Sequence, residues 1–312
     1  MTMDILTLSD IKKNISFDDI VNCVENSLIE QSNQSIDQLD KVDMIDNRYI
    51  KYGHTKNKSY FIMEIDSGNL FSQRKLKQDK TSFIFVISTC TGKPVAIIQD
   101  NGWISHIRAA IVSMLAHKHL LPSKLEQIGI MGSGTQARQQ LLCLPYITSC
   151  KQISIWSRSL ESGEKFIQEM SSAGFKVSLA SNPEEVVKNS QLIVTTTPSQ
   201  QPIIHNEWVQ PGTHITAVGA SGAGKQELDV ELLFSANQLV IDNKDNIFKC
   251  GEISQAYKSG FIDNHPIELG ELMEKPTTFQ RGVDDITVFD LTGEASSEFE
   301  IAAMIYNSYI NN

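Results

Sequence analysis

The chain has 312 residues, enough for two domains, and its 41% hydrophobic residues can fill two cores. A formal charge of −10 and an isoelectric point near 5.2 argue against a nucleic-acid partner, because neutralising phosphates needs clustered Lys and Arg. The opening residues, Met1 to Leu6, show no basic stretch followed by an apolar run, and no window reaches membrane-spanning length, so a cytoplasmic protein without membrane contact is expected. Cys23, Cys90, Cys143, Cys150 and Cys250 lack Cys-x-x-Cys spacing, which points to reduced packing residues and to no metal site.

In chain order, residues 8–34 predict a helix, with Ser9-Asp10 at its start and Ile15, Phe17, Ile20, Val21, Val24 and Leu28 at mixed helical spacing. Strands are predicted over 47–52, 60–65, 81–87 and 94–98, the last two joined by a hairpin turn through Cys90–Pro94. A helix over 105–120 follows, with Ile107, Ala110, Ile111, Met114 and Leu115 on one side.

Next, an apolar strand ending in Ile130-Met131 runs into Gly132-Ser133-Gly134-Thr135-Gln136-Ala137 and then a helix. The first glycine permits a tight strand-to-helix turn, and the second lets a pyrophosphate approach bare backbone. Ala137 stands where helix and strand pack closely, and the helix N-terminus offers free N–H groups to the phosphates. Tight turns also use glycine for steric reasons alone, but a second strand over 152–156 completes a strand-helix-strand unit. That strand ends at Ser157, Arg158 and Ser159, with no acid to bond a ribose 2′-hydroxyl. A guanidinium and hydroxyls suit a 2′-phosphate, so NADP(H) is expected in preference to NAD(H), although Arg158 is otherwise read as a solvated helix-start residue.

Further short strands over 176–179, 191–195, 214–219 and 238–242 predict a doubly wound parallel sheet. Loops at its carboxyl edge should line the cofactor: Thr195, Thr196 and Thr197, then Val218, Gly219 and Ala220 through Lys225. A strand over 285–293 ends in a Thr292-Gly293 turn, and a last helix over 294–308 carries Ile301, Ala302, Met304 and Ile305.

Six blocks in order resemble the ornithine cyclodeaminase and mu-crystallin family: Thr91–Ala96, Ile104–Ala110, Gly129–Ala137, Val218–Asp229, Glu268–Leu272 and Ile286–Gly293. The resemblance covers about residues 80–308 well and the N-terminal quarter loosely. It implies an α/β fold in which a Rossmann domain, residues 121–289, is inserted into an α+β substrate-binding and dimerising domain, residues 1–120 plus 290–312. It also implies a homodimer, hydride transfer at the α-carbon of an amino-acid-derived small molecule, and Leu291, Thr292 and Gly293 among the cofactor residues. A substrate carboxylate calls for a guanidinium. Arg108 matches the family's arginine for that carboxylate and Arg48 is the expected second, with surface ion pairs as the alternative.

Two positions depart from the family. Its catalytic lysine falls at Met63 and its catalytic aspartate at Ser221, side chains that are respectively unable and poorly suited to move protons. Lys75 and Lys77 are possible replacements, and Glu64, Asp66 and His106 are other possible acids. The expectation is therefore an NAD(P)H-dependent reductase of a preformed imine or iminium in a specialised biosynthetic route, since an electrophile already charged needs mainly placement. The alternatives are cyclodeaminase or amino-acid dehydrogenase activity, and a non-catalytic NADP-binding protein.

Overall fold

The computed structural model describes residues 3–33, 40–43, 49–66, 82–220, 222, 224–258, 260, 266–293 and 295–311. Contacts divide the chain into Met1–Arg108 with Ala295–Asn312, and Ala109–Glu294.

In the first unit, β1 (Asp4–Thr7) leads into α1 (Leu8–Asn14) and α2 (Phe17–Asn33), so the helix expected over 8–34 is two helices. Each has its own capping box: Thr7 and Asp10 exchange side-chain bonds with each other's backbone, and Ser16 and Asp19 do the same at the start of α2. Ile15 between them is extended. The strands β2 (Asp40–Asp43), β3 (Tyr49–His54), β4 (Tyr60–Asp66), β5 (Ser82–Ser88) and β6 (Pro94–Gln99) complete a sheet ordered β1-β6-β5-β4-β3-β2. Its β1–β6 pairing is parallel and the others are antiparallel. Strand alternation buries Ile62, Ile84, Val86, Ala96 and Ile98 on one face. It leaves Phe61, Met63, Phe83, Phe85, Ile87 and Ile97 half-buried on the other. Next, α3 (Trp103–Leu120) starts two residues before the expected 105, because the Asp100 carboxylate accepts from the amides of Gly102 and Ile104.

The second unit alternates strand and helix: β7 (Ile128–Met131), α4 (Thr135–Cys143), β8 (Gln152–Trp156), α5 (Leu160–Ser172), β9 (Lys176–Leu179), α6 (Pro183–Asn189), β10 (Leu192–Thr195) and β11 (His214–Ala217). It continues through α7 (Val230–Ser235), β12 (Gln238–Ile241), α8 (Glu252–Lys258), β13 (Ile267–Glu268), α9 (Leu269–Glu274) and β14 (Thr287–Asp290), before α10 (Ser296–Asn311) rejoins the first unit. All its strand pairings are parallel, in the order β13-β12-β14-β11-β10-β7-β8-β9. β7, β10, β11 and β14 are buried at every position, as central strands covered on both faces must be. The α/β expectation of a Rossmann-type sheet is met. Strand order reverses between β7 and β10, and connections leaving those two strands in opposite directions open a crevice at their carboxyl ends.

Candidate active site

At that crevice the glycines do separate jobs. Gly132, just after β7, has φ +105°, and a Cβ there would fall 2.7 Å from Thr196 Oγ1 and 3.2 Å from Thr197 Cγ2. Only glycine lets the β7 and β10 loops close to this distance. Gly134 is different: a Cβ added to it would meet nothing within 4 Å, and as N-cap of α4 it offers no side-chain bond to the first-turn amides. Open space over an uncapped helix N-terminus suits a pyrophosphate. Thr135 and Gln136 form the first turn, and fully buried Ala137 faces inward.

Beside it, Ser133 Oγ and Ser157 Oγ lie 2.8 Å apart, joining the β7 and β8 loops. Ser159 caps α5 by accepting from the Ser162 amide. Arg158 between them, just after β8, is exposed and makes no ion pair among the described residues, so its guanidinium faces solvent.

The remaining loops are tied together by buried carboxylates. Glu227 accepts from Thr195 Oγ1 at 2.7 Å, the Thr197 amide at 2.7 Å and the Gly219 amide at 2.8 Å, joining the loops after β10 and β11. Glu252 in turn accepts from the amides of Glu227 and Leu228. Asp242, at the end of β12, accepts from the Thr292 amide and hydroxyl and from the Gly293 amide, which fixes the turn after buried Leu291. Burial pushes Asp290 up to about 7, with Asp242 and Glu227 adding to the shift, and pushes Glu252 well above the usual carboxylate range, with Asp290 and Glu227 adding to it. Burial raises Glu227 as well, offset by its three donors. Val218 is buried and Ala220 accepts from the Gly251 amide. Lys225 is half-buried and Ser221 lies outside the described residues.

In the first unit, the expected carboxylate arginine is not a surface residue. Arg108 is 4% exposed, and its Nε and Nη2 donate to Glu298 Oε1 at 3.2 and 2.7 Å. Glu298 Oε2 receives Lys51 Nζ at 2.5 Å, and Lys51 also lies 3.5 Å from Glu64. Burial alone would raise Glu298, but Lys51 and Arg108 together hold it well below the usual carboxylate range. Glu64 goes the other way, pushed up to about 8 by burial, with Lys51 lowering it and Glu298 raising it. The cluster therefore brings Lys51 and Arg108 to the single carboxylate of Glu298, with the Glu64 carboxyl group beside Lys51. Met63 lies on the opposite, half-buried face of β4 from Glu64, and His106 is half-buried on α3. Arg48, Lys75, Lys77 and the side chain of Asp66 lie outside the described residues. Among the described residues, no helix is long and apolar enough to cross a membrane and no cluster of His, Cys, Asp and Glu has the makings of a metal site.

The whole chain, residues 1–312, matches the ornithine cyclodeaminase/mu-crystallin family. The chain belongs to that family. It is 33% identical over 215 residues to the ketimine reductase mu-crystallin of Rattus norvegicus, covering 68% of this chain and 64% of the relative. It is 26% identical over 224 residues to a Δ1-pyrroline-2-carboxylate reductase of Bacillus cereus, covering 70% and 68%. Among solved structures, it is similar to an archaeal alanine dehydrogenase dimer with bound NAD, with a TM-score of 0.88 and 28% identity over 100% of this chain and 97% of the other.

Within this family frame, sequence reasoning missed the residues that organise both sites: Lys51 and Glu298 in the first unit, and Glu227, Glu252, Asp242 and Asp290 in the second. A signal existed for two of them. Asp242 and Asp290 stand at the carboxyl ends of otherwise apolar strands, where an acid is desolvated and must find donors.

Proposed function

We propose that this chain is an NAD(P)H-dependent reductase of the C=N bond of an α-imino acid or related iminium. The observation that carries the reading is the crevice at the strand-order reversal, where an uncapped α4 N-terminus faces open space beside Gly132 and Gly134. The names of the ketimine and pyrroline-carboxylate reductases support the reaction class. When bound, the cofactor supplies a hydride. The first-turn amides of α4 would hold its diphosphate, and Arg158 would pair with a 2′-phosphate, favouring NADP(H) over NAD(H). Thr195, Thr196 and Thr197 with Gly219, fixed by Glu227, would bound the nicotinamide side.

The substrate's carboxylate would pair with Arg108, which stands beside Lys51 in the buried cluster. With Met63 and Ser221 at the family's lysine and aspartate positions, placement and exclusion of water carry more of the catalysis than in a cyclodeaminase. The half-buried apolar face of the six-stranded sheet supports a homodimer, as does the dimeric archaeal relative. Following NADPH oxidation against a panel of cyclic α-imino acids, N-alkyl iminium salts and α-keto acids with amines tests the reading. Turnover confined to the C=N substrates is expected. Tight NADPH binding without turnover of any of them would replace the enzyme with a dinucleotide-binding protein.

A further inference from the structure

The buried cluster of the first unit holds an ammonium on β3. Lys51 stands directly across from Glu64 in the β3–β4 ladder. Its Nζ is 2.5 Å from one oxygen of Glu298, while Arg108 holds the other at 2.7 Å, so two cations flank a single carboxylate. A second arginine would serve as well if charge alone were needed. Lysine differs in being able to give up its proton when desolvated. Among the described residues, the charged groups at Lys51 include Glu64 from β4 and Glu298 from α10, and Arg108 from α3 shares Glu298 with it. Asp100 adds to the field on Glu64, and it is itself held by Ser82 Oγ and the amides of Gly102 and Ile104.

Resting on the reading of Arg108 as the carboxylate anchor, we infer that Lys51 holds the proton for reduction of a neutral imine and that Glu64 resupplies it. In the step, a hydride, which the cofactor would supply, is added to the imine carbon, and the C=N π pair moves onto nitrogen. That pair forms an N–H bond with a proton of the Lys51 ammonium. Lys51 is left as a neutral amine, takes a proton from the Glu64 carboxyl group, and Glu64 is reprotonated from water. An N-alkylated iminium has no such requirement, because hydride addition alone gives the neutral amine. This proton source is separate from the family lysine whose position falls at Met63.

That difference supplies the test. Lys51→Arg keeps a cation beside Glu298 and cannot release a proton near neutrality. At a pH where 1-pyrroline-2-carboxylate is a neutral imine, its kcat should fall roughly 100-fold or more in Lys51→Arg. The kcat for the N-methyl iminium counterpart should fall at least roughly tenfold less, so that the ratio of the two rates shifts, with the melting temperature little changed. Glu64→Gln provides a second arm: it should slow the neutral imine selectively and remove the limb of its pH–rate profile that belongs to Glu64. Equal slowing of both substrates in both variants, or no slowing in either, overturns the role of Lys51. Failure of the intact protein to reduce any C=N substrate of the panel overturns the reductase reading itself.

Discussion

Arg108 on α3 and Glu298 on α10 form a buried ion pair, Nη2 to Oε1 at 2.7 Å, and the same carboxylate holds Lys51 through its other oxygen. Removing that carboxylate leaves two desolvated cations side by side. Glu298→Ala is therefore expected to cost on the order of 3–5 kcal/mol of stability, read as a lower urea midpoint. A midpoint equal to that of the intact protein would show that the cluster is hydrated and that its buried charge balance has been misread.

Removing Arg108 tests the other side of the pair. Arg108→Ala should raise KM for a carboxylate-bearing imine roughly 10- to 100-fold through loss of a charge-assisted contact, while the NADPH dissociation constant changes by no more than about twofold. If KM is unaltered, Arg108 is not the anchor.

The two crevice glycines should separate by phenotype. Gly132→Ala forces a Cβ to within 2.7 Å of Thr196 Oγ1 at a φ of +105°, so both melting temperature and cofactor affinity should drop, the backbone strain being roughly 1–3 kcal/mol. Gly134→Ala meets open space and should fold like the intact protein, yet bind NADPH at least roughly tenfold more weakly because the pyrophosphate needs that space. Full affinity in Gly134→Ala would remove the pyrophosphate from this turn.

Glu227 receives three donors on its two oxygens, so an amide in its place must turn an NH2 group toward at least one of them. Glu227→Gln should weaken NADPH binding roughly tenfold, about the worth of one hydrogen bond to a charged group, while far-ultraviolet circular dichroism stays unchanged. Undiminished affinity would mean that these loops hold their places without it.

Acid sensitivity should arise in the parallel-sheet unit. His117 Nε2 and His214 Nε2 lie 2.9 and 3.1 Å from Thr216 Oγ1, and both rings are fully buried. Burial lowers His117 to about 3 and His214 well below its ordinary value, with His117 and Arg281 adding to the latter. Both rings stay neutral in the fold at pH values where the unfolded chain would protonate them. For His117 the resulting stability contribution is whole above about pH 6.5 and is lost as pH falls from there toward 3, by up to about 1.4 kcal/mol per pH unit, and His214 acts in the same direction. His117→Gln should flatten this slope in denaturant titrations at stepped pH. A variant that loses stability in parallel with the intact protein would assign the acid lability elsewhere.

The nucleotide unit was legible because its signals are local. Alternating apolar strands, Gly132 and Gly134 at a strand-to-helix junction, and a charged residue after the second strand each reflect a short-range requirement of the backbone or ligand. The first unit was harder. β1 has only four residues, too few to display a period, and its partner β6 lies some 90 residues away in sequence. The break after Asn14 was hidden because Ile15 and Phe17 continue an apolar pattern, whereas the capping Ser16-Asp19 pair decides the matter. Lys51 and Glu298 lie 247 residues apart, and nothing along the chain marks one as the other's partner. Asp100 was passed over for the opposite reason: its capping role is local, but it sits beyond the end of a strand and looks like an ordinary turn acid.

The proposed preference for NADP(H) rests on Arg158, exposed and without an ion pair among the described residues. NADPH is expected to bind more tightly than NADH, and Arg158→Ala to narrow the gap by about 1.5–3 kcal/mol, measured by fluorescence titration of both nucleotides. Equal affinities in the intact protein would reverse the assignment.

The central claim is hydride delivery to a C=N carbon, and isotope transfer reads it directly. With NADPH deuterated at C4 on the transferred face, incubation with a cyclic α-imino acid of the panel that is turned over should give an amino acid carrying one deuterium at its α-carbon, detected by mass spectrometry. Product formed without deuterium when each face is labelled in turn, or no reduction of any imine in the panel, would contradict the account.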